Sequence, residues 1–219
     1  MRGKCIVSLL AVVLMLSAVK SVHASINIHE ILADPPTGLS GDANGDGVRS
    51  SKDDEFVELF NRSSSTMDIS NWCLTDLTSI RHVFGRDSLI EPLSVIVVFA
   101  GGSPSFTTFH WQIAATNNLG LNNDGDTVSL FDADGALVDQ VVYGPEAGND
   151  QSIVRAIEGT DSEWIRHEEI ENSQGKSFSP GYLINEQKIE LPADPAVPEP
   201  ATIVALLSGL SSIYIIKRW

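Results

Sequence analysis

Side chains with oxygen atoms recur at alternate positions of one short segment, DANGDGVRSSKD at residues 42–53. Asp or Asn stands at positions 1, 3 and 5 of this loop, glycine at position 6 and a carboxylate at position 12. Calcium takes about six to eight oxygen ligands, and short side chains at alternate positions of a curling loop can converge on one ion. The spacing therefore predicts a calcium site, with one ligand from a backbone carbonyl and one from a hydroxyl or a water. The predicted ligands are Asp42, Asn44, Asp46, Val48, Ser50 and Asp53.

The loop resembles the calcium loops of EF-hand and dockerin-type sites, and it departs from the EF-hand in two respects. Position 12 is Asp53 rather than Glu, and no helical pattern flanks the loop. The shorter carboxylate can bind through one oxygen only, which predicts a weak site. Asp, Asn and Gly also favour turns without metal, so a solvated loop is the alternative. A bound ion would rigidify an insertion of about 20 residues, which is long for a compact domain.

Other candidates for chemistry have less support in the sequence. The acidic turn NNDGD at residues 122–126 suits the approach to a hairpin better than a metal cage. Four histidines, at positions 29, 82, 110 and 167, are scattered, and none lies in a metalloprotease helix motif. No serine lies in a nucleophile elbow, and Glu168 and Glu169 are typical of a solvated face. A metal-dependent hydrolase is therefore the third of three functional alternatives.

The elements that position these residues are centred on GDTVSLFDADGALVDQVVYG at residues 125–144. Polar and apolar residues alternate on both sides of Asp134-Gly135, a pair that supplies the positive φ of a tight hairpin turn. Each strand of this hairpin has one apolar face, which must be buried against a second layer. The segment therefore predicts a β-hairpin within a sandwich.

Short apolar or alternating runs on both sides of the hairpin predict the rest of the sandwich. Strands are expected at residues 25–33, 55–61, 72–76, 81–84 and 93–100, with edge strands at 152–155 and 163–165. The run at 93–100 is nearly all apolar and predicts a central strand. Many short strands separated by turns, without an amphipathic helix, predict an all-β antiparallel β-sandwich at residues 25–184.

The tryptophans and the cysteine of this region have structural and functional interpretations. Trp72 is expected in the core, and its neighbour Cys73 is expected to be a buried, inert thiol. Trp111 and Trp164 are candidates for contacts with sugars or peptides. Tryptophan in short strands more often packs into the core, and that is the interpretation we favour.

Four of these segments resemble the lamin-tail domain in its bacterial, secreted form. They are EFVELFN at residues 55–61, DISNWCLTD at 68–76, GDTVSLFD at 125–132 and VDQVVYG at 138–144. Each is a simple strand pattern, and the resemblance depends on their order. It implies an immunoglobulin-like β-sandwich that serves as a binding or structural module and brings no catalytic residues.

The N-terminal residues 1–24 have the pattern of a secretory signal peptide. A basic start precedes an apolar run at residues 6–19, and small residues precede the expected cleavage between Ala24 and Ser25. The cleaving enzyme would be signal peptidase. An uncleaved membrane anchor is the alternative, but the apolar run is short for a membrane span.

The C-terminal residues 197–219 follow an acidic, proline-containing linker at 185–196 and resemble a PEP-CTERM sorting signal. Val197, Pro198, Glu199 and Pro200 form the motif, an apolar run covers residues 201–216, and KRW ends the chain. The resemblance implies a short hydrophobic helix that anchors the chain transiently in the inner membrane of a Gram-negative-type bacterium. An exosortase-type protease would then release the protein to the cell surface or the extracellular matrix. A plain C-terminal anchor is the alternative.

The charge of the mature chain disfavours one class of partner. The full sequence has a net charge of −15, and removal of residues 1–24 and 199–219 leaves 9 basic and 28 acidic residues. Such a surface repels phosphate backbones and disfavours nucleic-acid binding, and it suits an exported protein that meets divalent cations or basic partners. The alternative is that the charge serves solubility alone. Cys73 would be the one remaining cysteine, so no disulfide is expected within the domain.

These observations predict a non-catalytic, exported module with a structural, adhesive or matrix-binding role. Its expected partners are an extracellular polysaccharide or a surface protein. The main alternative is a receptor module that binds a specific carbohydrate or protein.

Overall fold

A computed structural model describes residues 25–155, 164–170 and 173–183 of the chain. The predicted signal peptide, the linker at 185–196 and the predicted sorting segment at 197–219 lie outside these residues. Secondary structure in the described part consists of β-strands and three short 3-10 helices, at Leu39–Gly41, Pro145–Ala147 and His167–Glu169. None of the helices in these ranges is long and apolar enough to span a bilayer.

The described residues form twelve strands. In chain order they are β1 (Ile26–Leu32), β2 (Phe56–Asn61), β3 (Met67–Asp68), β4 (Cys73–Thr75), β5 (Ile80–Val83), β6 (Leu89–Ile90), β7 (Val95–Phe99), β8 (His110–Ile113), β9 (Asp126–Phe131), β10 (Leu137–Tyr143), β11 (Ile153–Arg155) and β12 (Trp164–Arg166).

These strands make two main sheets that pack face to face. The six-stranded sheet has the order β12-β11-β1-β2-β7-β8, and the four-stranded sheet has the order β10-β9-β4-β5. Strands β3 and β6 pair as a separate two-stranded sheet. Neighbouring strands are antiparallel except β7 and β8, which run parallel. The fold is an all-β sandwich of the immunoglobulin-like type, as predicted, with one parallel pair that was not.

The main core lies between the two sheets and follows from the alternation of the strands. Ile28 and Leu59 point into it from the larger sheet, and Leu74, Leu130 and Val141 point into it from the smaller one. All five are almost completely buried. Alternating residues of antiparallel strands face opposite sides, so one row of each sheet fills this core.

A second apolar cluster covers the opposite face of the six-stranded sheet. It contains Leu32, Phe56 and Phe99 from the strands and Ala43 from the insertion between β1 and β2. Because this sheet is buried on both faces, all five residues of β7 are apolar, and β2 is buried along its whole length although it contains Glu58 and Asn61. The insertion at residues 34–54 and the segment at 173–183 are therefore parts of the folded body.

The predicted hairpin is confirmed as β9 and β10. Its five-residue connection closes with a hydrogen bond from the Asp132 amide to the Ala136 carbonyl, 2.9 Å, and Gly135 has a φ of +81°. Strand β7 is not at the centre of its sheet but next to the edge, because β8 adds beside it. Residues 152–155 are also not an edge, since β11 lies between β1 and β12. These neighbours come from distant segments, which local patterns do not reveal.

Candidate functional site

The predicted calcium loop at residues 42–53 lies on the outer side of the six-stranded sheet. It packs against the loop that follows β7. The Ser105 amide donates to the Asn44 carbonyl at 3.3 Å, and the Gly101 amide donates to the Asp53 carbonyl at 3.2 Å. The Ser103 amide donates to Asp46 Oδ2 at 3.0 Å. These hydrogen bonds attach both ends of the loop to the rest of the protein.

Three of the predicted ligands are brought together in the first half of the loop. Asp42 Oδ1 and Asn44 Oδ1 both accept from the Asp46 amide, at 3.1 and 3.0 Å. Asp42 Oδ2 accepts from the Gly47 amide at 2.8 Å, and Asp46 Oδ1 accepts from the Val48 amide at 2.9 Å. These contacts wind residues 42–48 into a tight turn whose side-chain oxygens face its own backbone amides.

The predicted ligands in the second half of the loop, Ser50 and Asp53, make different contacts. Ser50 Oγ accepts from the Asp53 amide at 3.0 Å. The Asp53 carboxylate lies beside Gly101, where a Cβ would be 2.5 Å from Asp53 Oδ1. Within the described ranges, no group of three or more His, Cys, Asp or Glu side chains is placed to hold a metal ion. Calcium binding therefore stays a prediction.

Asp54 organises this loop, and sequence reasoning missed it. Its carboxylate accepts from the Asn44 amide at 3.0 Å and from the Ser50 amide at 2.6 Å, so it joins the two arms of the loop. The side chain is fully buried. Burial raises the pKa of Asp54, and the negative charge of Asp42 raises it further. The available signal was position, because Asp54 lies only two residues before the first residue of β2.

A close backbone approach explains the glycine pair after β7. Gly102 has a φ of +77°, and a Cβ there would lie 2.3 Å from Asn44 Nδ2 and 2.7 Å from Asp46 Oδ2. A side chain at this position would therefore push the loop at residues 42–53 away from the loop after β7.

A cleft of about 470 Å³ lies between this loop and the segment at residues 175–182. Phe106, Phe178 and Tyr182 contribute aromatic rings to its walls. The Phe106 ring stacks on Phe99, with centroids 5.9 Å apart and an interplanar angle of 15°. Tyr182 is 59% exposed and therefore available to a ligand. The cleft has the size of small-molecule sites and an aromatic, mixed-polarity wall.

The two candidate tryptophans are both partly buried and packed. Trp111 packs against the second apolar cluster, and its indole N–H donates to the Phe106 carbonyl at 3.0 Å. Trp164 packs against the main core, with the Arg155 guanidinium 5.1 Å from its ring centroid. Their packing agrees with the structural interpretation, and the more exposed ring beside the cleft is Tyr182.

A pair of buried glutamates lies under the segment that forms one wall of the cleft. Glu30 and Glu58 stand opposite each other on β1 and β2 and are fully buried. Glu30 accepts from the Ser152 hydroxyl at 2.6 Å, from the Ser179 amide at 2.9 Å and from the Ser179 hydroxyl at 2.8 Å. Glu58 Oε2 accepts from the Gly181 amide at 2.7 Å. These bonds fasten residues 179–181 to the sheet.

The burial of this pair favours its protonated form. Burial raises the pKa of Glu30 to about 7, although its hydrogen bonds act in the opposite direction. Burial also raises the pKa of Glu58 well above its usual range, and the charge of Glu30 adds to that effect. Two adjacent buried carboxyls cannot both ionise at low cost, so the pair holds a proton near neutral pH.

The remaining candidates have structural roles. In the second acidic turn, Asp126 accepts from the Asn122 amide at 3.3 Å and from the Asn122 side chain at 3.0 Å, as expected of a hairpin approach. His29 and His82 are buried, and burial lowers the pKa of both, that of His29 to about 3. Cys73 is half-buried rather than buried as predicted, because it faces away from the core. Burial nonetheless raises the pKa of its thiol.

The comparison with known proteins agrees with this architecture. The sequence model of a family described as Lamin Tail Domain matches residues 20–145, more than half of the chain. The match includes the loop at residues 42–53, β2, β7 and the β9–β10 hairpin. No curated protein matches the sequence.

Proposed function

We propose a function from the premise that this chain belongs to the lamin tail domain family. Lamin tail domains are immunoglobulin-like β-sandwiches and typically serve as non-enzymatic modules. The proposed function is a structural, adhesive or matrix-binding module outside the cell, stabilised by a weakly bound calcium ion. Its partners would be an extracellular polysaccharide or a surface protein.

The observation that supports calcium is the winding of residues 42–48. Asp42, Asn44 and Asp46 direct side-chain oxygens at the same few amides. A carboxylate oxygen that accepts one N–H retains lone-pair capacity for a cation. The charge of Asp42 also acts on buried Asp54, and a cation between these groups would relieve that repulsion. Asp53 would become a calcium ligand after a small movement of the second half of the loop.

Thermal unfolding in calcium and in chelator tests the proposal. At a calcium concentration about 100 times the dissociation constant, binding adds about 2.7 kcal/mol to the free energy of unfolding. For a domain of this size the melting temperature should rise by about 5–10 °C. Magnesium should give a smaller rise, because its small octahedral site does not suit a flexible loop of this kind.

Two alanine variants make the test specific to the loop. Asp46→Ala should abolish the calcium-induced rise, whereas Asp124→Ala, which removes the same charge from an exposed turn, should keep it. If calcium leaves the melting temperature unchanged, or if both variants respond equally, the calcium site is wrong. The proposal of a non-catalytic module does not depend on the calcium site.

Export and sorting are part of the same proposal. The patterns at Met1 to Ala24 and at Val197 to Trp219 support cleavage by signal peptidase and an exosortase-type protease. Cell fractionation should find the mature protein at the surface or in the medium. A chain truncated after residue 196 should fail to be retained and processed in the same way. Full-length protein in the cytosol would contradict export.

The aromatic cleft supports a second candidate function, a receptor for carbohydrate or protein. Tyr182 and Phe106 present rings on which a sugar can stack, beside hydroxyls of the 175–182 segment. A glycan array that gives binding to the native chain and none to Tyr182→Ala would favour this receptor over a purely structural role.

A further inference from the structure

An apolar row crosses the outer face of the four-stranded sheet. The strand register places Val83 opposite Cys73, Cys73 opposite Phe131, and Phe131 opposite Leu137. Residues paired in register share one face of a sheet, so these four lie in one line. Leu74, the next residue along β4, is in the core. The row therefore faces away from the core.

The same face has two further apolar side chains, Ile80 and Val142. Val142 is 72% exposed, Ile80 54%, Leu137 51% and Val83 46%. Exposed apolar groups that gather on one face mark interaction surfaces, whereas single ones are ordinary. The remaining positions of the face, 75, 127, 129 and 140, carry Thr, Thr, Ser and Gln.

The face has no Asp, Glu, Lys, Arg or His among its ten positions, although the chain has 29 acidic residues and a net charge of −15. Two copies of so acidic a protein repel each other wherever charged surfaces meet. An uncharged face lets them approach without that repulsion. It is also self-complementary, because a two-fold axis brings an apolar row onto an identical one.

We propose that a second copy of this chain packs against this face, sheet against sheet. Cys73 lies on the same face and gives independent support for this contact. Its thiol is partly exposed and has no partner cysteine in the mature chain. An unpaired cysteine in an exported protein indicates contact between chains or a free thiol. The argument from Cys73 rests on the proposed export, whereas the arguments from the apolar row and from the uncharged face do not.

The geometry sets the strength of this contact. Sheets that face each other pack about 10 Å apart, and these four strands of three to seven residues cover a few hundred Å². Standard interfaces bury about 800 Å² on each partner. The face is therefore smaller than a standard interface, and we expect a weak dimer.

Sedimentation equilibrium up to about 1 mM protein tests the proposal on the full mature chain. Leu137→Glu places a like charge in the row of both copies and should raise the dissociation constant by at least about tenfold. Leu39→Glu is the matched control: the same change at a 75% exposed position in the insertion on the opposite side of the sandwich. It should leave the constant within about twofold of the native value.

Cross-linking gives a second readout that does not depend on a variant. A short bismaleimide, with a span close to the spacing of two packed sheets, should join two copies through Cys73. The yield should rise with protein concentration and fall in Leu137→Glu. A native chain that stays monomeric at about 1 mM overturns the proposal. The proposal is also overturned if Leu137→Glu and Leu39→Glu have equal effects. It is overturned likewise if this face binds a different macromolecule and no self-association is seen.

Discussion

At the scale of single residues, three buried acidic side chains hold irregular segments of this protein in place. Asp54 connects the two arms of the loop at residues 42–53 through the amides of Asn44 and Ser50. Glu30 and Glu58 hold the segment at residues 179–181 on the sheet. Each uses charge-assisted or short hydrogen bonds to join segments that are distant in sequence, so each stabilises an irregular region that has few strand contacts.

Substitution of Asp54 separates the folding of the loop from its calcium affinity. In chelator, Asp54→Ala leaves two backbone amides without their acceptor and should lower the free energy of unfolding by about 2–4 kcal/mol. Asp53→Ala should change it by less than about 0.5 kcal/mol in chelator and should weaken the calcium response. Urea denaturation with and without calcium measures both effects. A larger loss in chelator for Asp53→Ala than for Asp54→Ala would contradict these roles.

The neighbouring aspartates also show what the sequence could and could not predict. The spacing of residues 42–53 identified the loop and its first three side chains, because that spacing is local. Whether Asp53 or Asp54 organises the loop depends on which side chain points inward. The position count of the calcium-loop template indicates Asp53, whereas the structure buries Asp54. The Glu30 and Glu58 pair was not predicted either, since each glutamate occupies a polar position of an ordinary alternating strand. Their contact arises from the register of β1 and β2.

At the scale of elements, local alternation predicted the strands and distant contacts determined their neighbours. The β9–β10 hairpin, β1, β2 and β7 were recognised because their patterns are complete within a few residues. Strand β8 was missed, because HWQI has no clean alternation and its parallel pairing with β7 requires the long crossover at residues 100–109. The second apolar cluster was missed for a similar reason: Phe106, Phe109 and Phe178 lie in loops.

The close approach of two loops at Gly102 gives a test at this scale. Gly102→Ala should destabilise the protein by a positive-φ cost of about 1 kcal/mol together with the displacement of Asn44 and Asp46. Gly135→Ala is the matched control, because its φ is +81° and no atom lies within 4 Å of its added Cβ. Urea denaturation should show a loss at least about 1–2 kcal/mol larger for Gly102→Ala. Equal losses would mean that the loop does not pack on Gly102 in solution.

At the scale of the whole molecule, buried titratable groups of two kinds oppose each other as pH changes. Burial raises the pKa of Glu30 to about 7 and that of Glu55 to about 8. Burial lowers the pKa of His29 to about 3 and lowers the pKa of His167 below its usual value. The glutamates favour the folded state when protonated, and the histidines favour it when neutral. The net charge of −15 adds self-repulsion on the alkaline side.

Stability should therefore fall as pH rises above about 6.5, whereas between about pH 4.5 and 6.5 the two kinds of group act in opposite directions. Below the ordinary histidine pKa of about 6.5, the unfolded chain binds protons that His29 does not bind in the fold, so the histidine contribution to stability falls as pH falls. Above pH 6.5 the histidines are neutral in both the folded and the unfolded state, so the glutamates determine whether stability rises or falls with pH. Their folded pKa values lie above the unfolded one, so the stability they contribute is fully present below about pH 4.5 and is lost as pH rises through 7 to 8.

Glu30→Gln isolates the glutamate contribution, because glutamine resembles the protonated carboxyl in shape and lacks its titration. Between pH 6.5 and about 8.5 the native chain should lose a few kcal/mol of unfolding free energy, and the variant should lose clearly less. Glu91→Gln, at an exposed position, removes the same charge and should reproduce the native slope. Urea denaturation at half-unit pH steps measures all three chains. Parallel slopes for native and Glu30→Gln would show that this carboxyl is ionised in the fold, and the 179–181 segment would then be held by a charge rather than by a shared proton.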